Sequence, residues 1–110
     1  MKSDDVYLGR MCDGIAKIRR ATSGIDGKDF SASETAVAAV ILWLMQIGEI
    51  AKRVSPETKE RMPVAWKQIT GFRDVAVHDY FELSVRDVWL TATKDIPELA
   101  RALGCVRDEA

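Results

Sequence analysis

Residues 34–54, ETAVAAVILWLMQIGEIAKRV, carry the clearest helical pattern in the chain. Val37, Val40, Ile41, Leu44, Ile47, Gly48, Ala51 and Val54 recur at three- and four-residue steps and so line one face of a helix. Trp43 and Ile50 widen that face until the first half is apolar almost all round. Such a helix is central to a bundle, or is covered on a second side by another chain. It would run roughly 30 Å, the length of a small bundle. The uninterrupted apolar run, Ala36 to Met45, is shorter than the ~20 residues that span a bilayer, so no membrane partner is expected. Ser31 and Glu34 stand at capping-box spacing and predict the start of this helix.

Other helices follow on both sides. Upstream, Leu8, Met11, Ile15 and Ile18 form a second stripe, with Ser3 as candidate N-cap and Asp4 and Asp5 beside the positive helix end. Glycine, serine and threonine between Ala21 and Gly27 predict a stop near Arg20, and a short helical turn can form around Phe30. Downstream, Ser55-Pro56-Glu57 restarts the chain with a cap, a proline at the first helical position and a first-turn carboxylate. That piece should end near Met62-Pro63. A further helix is expected from Trp66 to Tyr80, interrupted near Gly71. Ser84 caps a last one, striped by Val85, Val88, Trp89, Ala92, Ile96, Leu99 and Leu103, which Pro97 should kink or restart. No segment alternates with period two for long enough to make a strand. The expectation is an all-α bundle of four or five helices, one domain over residues 1–110.

Composition narrows the function. The chain has 110 residues, 30% charged and 47% hydrophobic, and 16 Lys+Arg against 17 Asp+Glu leave a net charge of −1. No whole-molecule basic field marks it as a non-specific nucleic-acid binder, so any such contact needs a local patch or a groove made by assembly. Cys12 and Cys105 lie near opposite ends and form no metal-type cluster and no disulfide framework, which predicts separate thiols and a cytoplasmic protein. The start, Met1-Lys2-Ser3-Asp4-Asp5, has no apolar signal core. No phosphate-binding glycine loop, paired-histidine motif or cysteine cluster appears, so neither a metal nor a cofactor is expected.

Chemistry concentrates in Gly71-Phe72-Arg73-Asp74-Val75-Ala76-Val77-His78-Asp79-Tyr80-Phe81, which holds the single histidine of the chain. On a helix Asp74 and His78 are neighbours, and Arg73 and Tyr80 share a face. Arg73 and His78, five apart, lie about 140° apart around the axis and flank one broad face. One copy is therefore half a site, and a two-fold axis would gather two arginines and two histidines at one cleft. Such a cleft suits metal-independent RNA cleavage by the ribose 2′-hydroxyl. An imidazole exchanges protons near neutrality, and a guanidinium binds phosphate oxygens and the charge that builds on them. Asp74 can orient His78 or Arg73, and Tyr80 can reach a phosphate or stack on a base. The plainer readings are a structural histidine, a solvated Arg73–Asp74 pair and packing aromatics. Trp43, Trp66 and Trp89 read as packing, and Arg19-Arg20 and Lys52-Arg53 as solvated faces or, as the second choice, as the edge of an RNA groove.

The run Arg73-Asp74-x3-His78-Asp79-Tyr80 resembles the R-x4-H-x-Y signature of HEPN-domain toxins of the HepT-like family. Gln46-Ile47-Gly48-Glu49-Ile50-Ala51-Lys52-Arg53 resembles that family's IGEAAKR helix segment, and Ser55-Pro56-Glu57 its short connecting helix. Trp66-Lys67-Gln68-Ile69-Thr70-Gly71-Phe72-Arg73 resembles its W-x-x-I-x-G-x-R approach. Val88-Trp89 and Asp95-Ile96-Pro97-Glu98-Leu99 resemble its closing helix. The resemblance implies a HEPN-type homodimer acting as the toxin of a type VII HEPN/MNT toxin–antitoxin system, an endoribonuclease for tRNA or mRNA. It makes Arg73 and His78 the catalytic pair, with Asp74 and Tyr80 in support. It makes Tyr80 the residue that a nucleotidyltransferase (MNT-type) antitoxin modifies with AMP. The family favours a polar residue after the arginine, often asparagine, and Asp74 adds a negative charge there. A second reading, supported by the net charge, is a non-catalytic helical subunit that presents substrate to a nucleotidyltransferase.

Overall fold

The computed structural model describes residues 3–105, and among them there is no strand. Helices run over Asp4–Thr22 (α1), Gly27–Ala32 (α2), Glu34–Ala51 (α3), Pro56–Arg61 (α4), Trp66–His78 (α5), Val85–Leu90 (α6) and Ile96–Leu103 (α7). A π-helical turn, Thr91–Asp95, joins α6 to α7 into one continuous arm. Pro97 supplies the reason: it has no N–H for the carbonyl one turn back, so the ladder loosens just before it. The all-α expectation holds, with four long arms and two short helices, α2 and α4, as connectors.

The arms bury the predicted stripes. Met11, Ile15 and Ile18 of α1 meet Val40, Ile41, Leu44, Ile47 and Ala51 of α3, with Val88, Ala92, Ile96 and Leu99 closing the core. Burying each large side chain contributes about 1.5–3 kcal/mol. Phe30 is fully buried and its ring lies 5.1 Å from that of Trp89. The three tryptophans all pack against the core, as expected for packing residues. Although α3 is long and apolar enough to cross a membrane, it packs most extensively on α1 and on α5. By contrast Ala76 is the one residue of α5 that is buried, with Trp66, Ile69 and Phe72 half-buried against the core. It rests on α3, and a cavity of about 390 Å³ separates it from α7, walled by Ile47, Ile69, Phe72 and Leu99 among others.

Several local expectations are corrected. The cap of α3 is Ser33, whose Oγ accepts from Ala36 N at 3.1 Å, because α2 runs through Ser31 to Ala32. Ser3 precedes α1 but its side chain makes no cap bond, and α1 continues past Arg20 to Thr22. Asp4 instead reaches the α3–α4 corner, where its carboxylate accepts from Ser55 N at 3.0 Å and from the Ser55 and Thr58 hydroxyls at 2.5 Å each. Those bonds, the Ser55 hydroxyl foremost, hold the Asp4 carboxyl below the ordinary carboxylate range.

The cysteines are also not separate: Cys12 and Cys105 form a disulfide with their Cα atoms 5.5 Å apart. Spacing along the chain hid this, since the two positions are 93 apart. The fold brings the last helix back beside the first. Gly104, at φ 71°, ends α7 in the left-handed conformation, and Gly104 N and Cys105 N donate to Arg101 O and Ala100 O. This paired closure turns Cys105 back toward α1. The thiol argument for a reducing compartment falls with it.

Candidate active site

The site is built where α5 crosses α3, and the crossing is permitted by Gly48. A Cβ there would lie 2.5 Å from Arg73 Cβ and 2.8 Å from Ile69 O. Any side chain would push the two helices apart, so only glycine allows this approach. The Arg73 stem consequently lies across α3, and its guanidinium falls among the polar residues that end that helix.

Two carboxylates hold it. Arg73 Nε is 2.9 Å from Glu49 Oε2, and Arg73 Nη1 donates to Asp74 Oδ1 at 3.0 Å. The buried Oε2 accepts no hydrogen bond, so Glu49 acts there by charge at close range. Lys52 Nζ donates to the same Asp74 Oδ1 at 2.7 Å. These two cations, Lys52 foremost, hold the Asp74 carboxyl below the ordinary carboxylate range. Asp74 thus orients Arg73, and among the described residues no hydrogen bond or ion pair joins it to His78. Lys52 and Arg53 are both exposed, as expected of a solvated face, and Arg53 forms a long ion pair with Glu49 at 3.9 Å.

The other half of the motif is arranged differently. α5 runs unbroken through Gly71, where a Cβ would meet open space, and ends at His78. Asp79 leaves the helix at φ −149°, ψ 52°, and Tyr80–Glu82 form a 3-10 turn. Tyr80 is therefore not on the Arg73 helix, and the shared face expected for the two is corrected: the chain turns before Tyr80 is reached. His78 is exposed on the last turn of α5, and its imidazole has no hydrogen-bond partner among the described residues. Tyr80 is 44% exposed and meets Phe81 edge-to-face at 5.7 Å, while Phe81 is 96% exposed. Among the described residues no three His, Cys, Asp or Glu side chains gather as metal ligands.

The model of the family described as Ribonuclease HepT-like matches residues 11–106. The chain belongs to the HepT-like ribonuclease family. The "Probable ribonuclease HepT" of Thermococcus cleftensis is 33% identical over 89% of this chain and 90% of its own length. "Putative RNase TTE0752" of Caldanaerobacter subterraneus is 33% identical over 92% of this chain and 91% of its own. No solved structure matches the chain.

The HepT-like match takes in both the motif and its support on α3. From the sequence, Gly48 counted only as a member of the apolar stripe, Lys52 only as half of a basic pair, and Glu49 only as part of the resembling segment. The available signal was a glycine inside an otherwise apolar helix, which marks close backbone approach. Gly48, Glu49 and Lys52 also occupy one side of α3, at i, i+1 and i+4.

Proposed function

We propose that this HepT-like chain is a metal-independent endoribonuclease that acts as a homodimer. One observation carries the reading. Arg73 is fixed in place by Glu49 and Asp74, while His78, five residues on, stands exposed at the end of the same helix, with no hydrogen-bond partner among the described residues. A fixed guanidinium suits a phosphate, and a free imidazole suits proton transfer. In the reaction the 2′-oxygen bonds to phosphorus and the P–O5′ bond breaks. One histidine takes the 2′-hydroxyl proton and another group, the histidine of a second copy, gives a proton to O5′. The products are a 2′,3′-cyclic phosphate and a free 5′-hydroxyl.

A second copy is favoured by the apolar surface beside the motif. Val75, Val77, Tyr80 and Phe81 are all exposed there. The RNA substrate is the ground for placing the protein in the cytoplasm. We further assign Tyr80 as the point where a nucleotidyltransferase antitoxin of the MNT type acts. Its exposed hydroxyl would attack the α-phosphate of ATP with loss of pyrophosphate. The added AMP brings negative charge and bulk to a site meant for RNA phosphates.

The test is cleavage of RNA by the purified protein in excess chelator, with the 3′ ends read chemically. Cyclic phosphate ends are expected, together with loss of cleavage in both Arg73→Ala and His78→Ala at unchanged circular dichroism. Full activity in both variants overturns the assignment. Absence of cleavage together with a tight complex with a nucleotidyltransferase would favour the substrate-presenting subunit. Co-expression with such a transferase should add AMP mass to the unmodified chain and none to Tyr80→Phe.

A further inference from the structure

Lys52 has no task in the cleavage just described, yet it is tied into the site. Its Nζ lies 2.7 Å from Asp74 Oδ1, and Arg73 Nη1 lies 3.0 Å from the same atom. One carboxylate oxygen therefore sits between two cations from two different helices. Carboxylate and phosphate oxygens take charged N–H donors in the same way, so Asp74 marks a place built to hold an anion. Glu49 occupies the Nε side of Arg73. The Nη edge touched by Asp74 is the edge that remains for a substrate phosphate.

We propose that Lys52 is a second phosphate ligand of this site, and that Asp74 is the anion it holds until an RNA backbone phosphate displaces it. The inference rests on the ribonuclease reading. Displacement is easy because the contact is open: the Lys52 and Asp74 side chains are 38% and 50% exposed. Pairs this accessible to water hold weakly. The cluster of Arg73, Lys52, Glu49 and Asp74 is electrically balanced at rest. With Asp74 turned to solvent, Lys52 and Arg73 face the phosphate together. A chain of net charge −1 can thus reveal a basic site only when RNA arrives.

The test is anisotropy of a labelled single-stranded RNA, titrated at several salt concentrations. A His78→Ala background keeps the RNA whole. Asp74→Asn should tighten binding several-fold with little change in the slope of log K against log salt, because Lys52 meets the phosphate in both proteins. Lys52→Met should weaken binding and flatten that slope by about 0.7, one phosphate contact fewer, whatever Asp74→Asn does to folding. Binding of the Lys52→Met protein with unchanged affinity and slope would make Lys52 a mere partner of Asp74 and overturn the proposal. Weaker binding by a folded Asp74→Asn protein would overturn it too. In both cases cleavage dependent on Arg73 and His78 leaves the ribonuclease reading standing. If the unmodified chain cleaves no RNA and the His78→Ala protein binds none, that reading fails and this one with it.

Discussion

The two ends of α5 are built on opposite plans. At the Arg73 turn the helix presses on α3 so closely that Gly48 has no room for a methyl group, and two carboxylates fix the guanidinium. At the His78 end the helix stops, the imidazole has no hydrogen-bond partner among the described residues, and the following turn lifts Tyr80 and Phe81 into solvent. Folding energy sets the position of the arginine. The histidine is positioned only by the helix it ends, and its surroundings are left for another molecule to supply. On the proposed ribonuclease reading, a site divided in this way would keep its anion-binding half ready and complete its proton-transfer half on assembly.

The largest expected effect tests the free end. His78→Ala should lower RNA cleavage by about 10²–10⁴-fold, as loss of a general acid–base group does. Its unfolding free energy should move by no more than about 0.5 kcal/mol, as for an exposed position. Chemical denaturation beside a cleavage assay checks both, and a large stability loss would erase the contrast between the two ends. Gly48→Ala should reverse the pattern. Forcing α5 off α3 should cost about 1–3 kcal/mol and reduce activity through displacement of Arg73. An unchanged melting temperature would refute the close-approach account.

Phe81→Asp should convert a dimer to monomer in light scattering and lower activity while leaving the fold intact. A dimer that survives would move the interface elsewhere. Glu49→Gln should be milder, because the Glu49 side chain is 45% exposed and solvent screens it. A loss of about 3–10-fold in turnover is expected, with the melting temperature nearly unchanged. The smallest effect is a control far from both ends. Asp4 has a lowered folded-state pKa, so its contribution is full above the ordinary aspartate value of about 4 and fades as pH falls through the folded value. Asp4→Asn should melt lower than the parent at neutral pH, and the gap should close in acid. A gap that widens in acid would contradict that sign.

Much of this was legible along the chain because it is local. Helical stripes on α1, α3 and the last arm followed from three- and four-residue steps, and Ser55-Pro56-Glu57 announced α4. Local competition defeated other expectations. Ser33 and Ser31 both suit a cap, and the choice fell to Ser33 because α2 needed Ser31 as a helical residue. Gly71 reads as a breaker, yet a half-buried glycine with open space beside it costs a helix only about 1 kcal/mol, less than the packing of α5 on α3 returns. The Cys12–Cys105 bond was invisible because it joins positions that only the folded topology brings together.

The sequence by itself determined that the protein is helical, where the charged and aromatic motif lies, and that one copy presents Arg73 and His78 on different sides of a helix. Periodicity and spacing are enough for that, since both are properties of a single helix. Only the tertiary structure decided what each motif residue touches. It put Gly48 under Arg73, drew Glu49 and Asp74 to the guanidinium, tied Lys52 to Asp74, and ended the helix before Tyr80. Those outcomes depend on how close two helices approach, and that distance is set by packing between elements far apart in the chain.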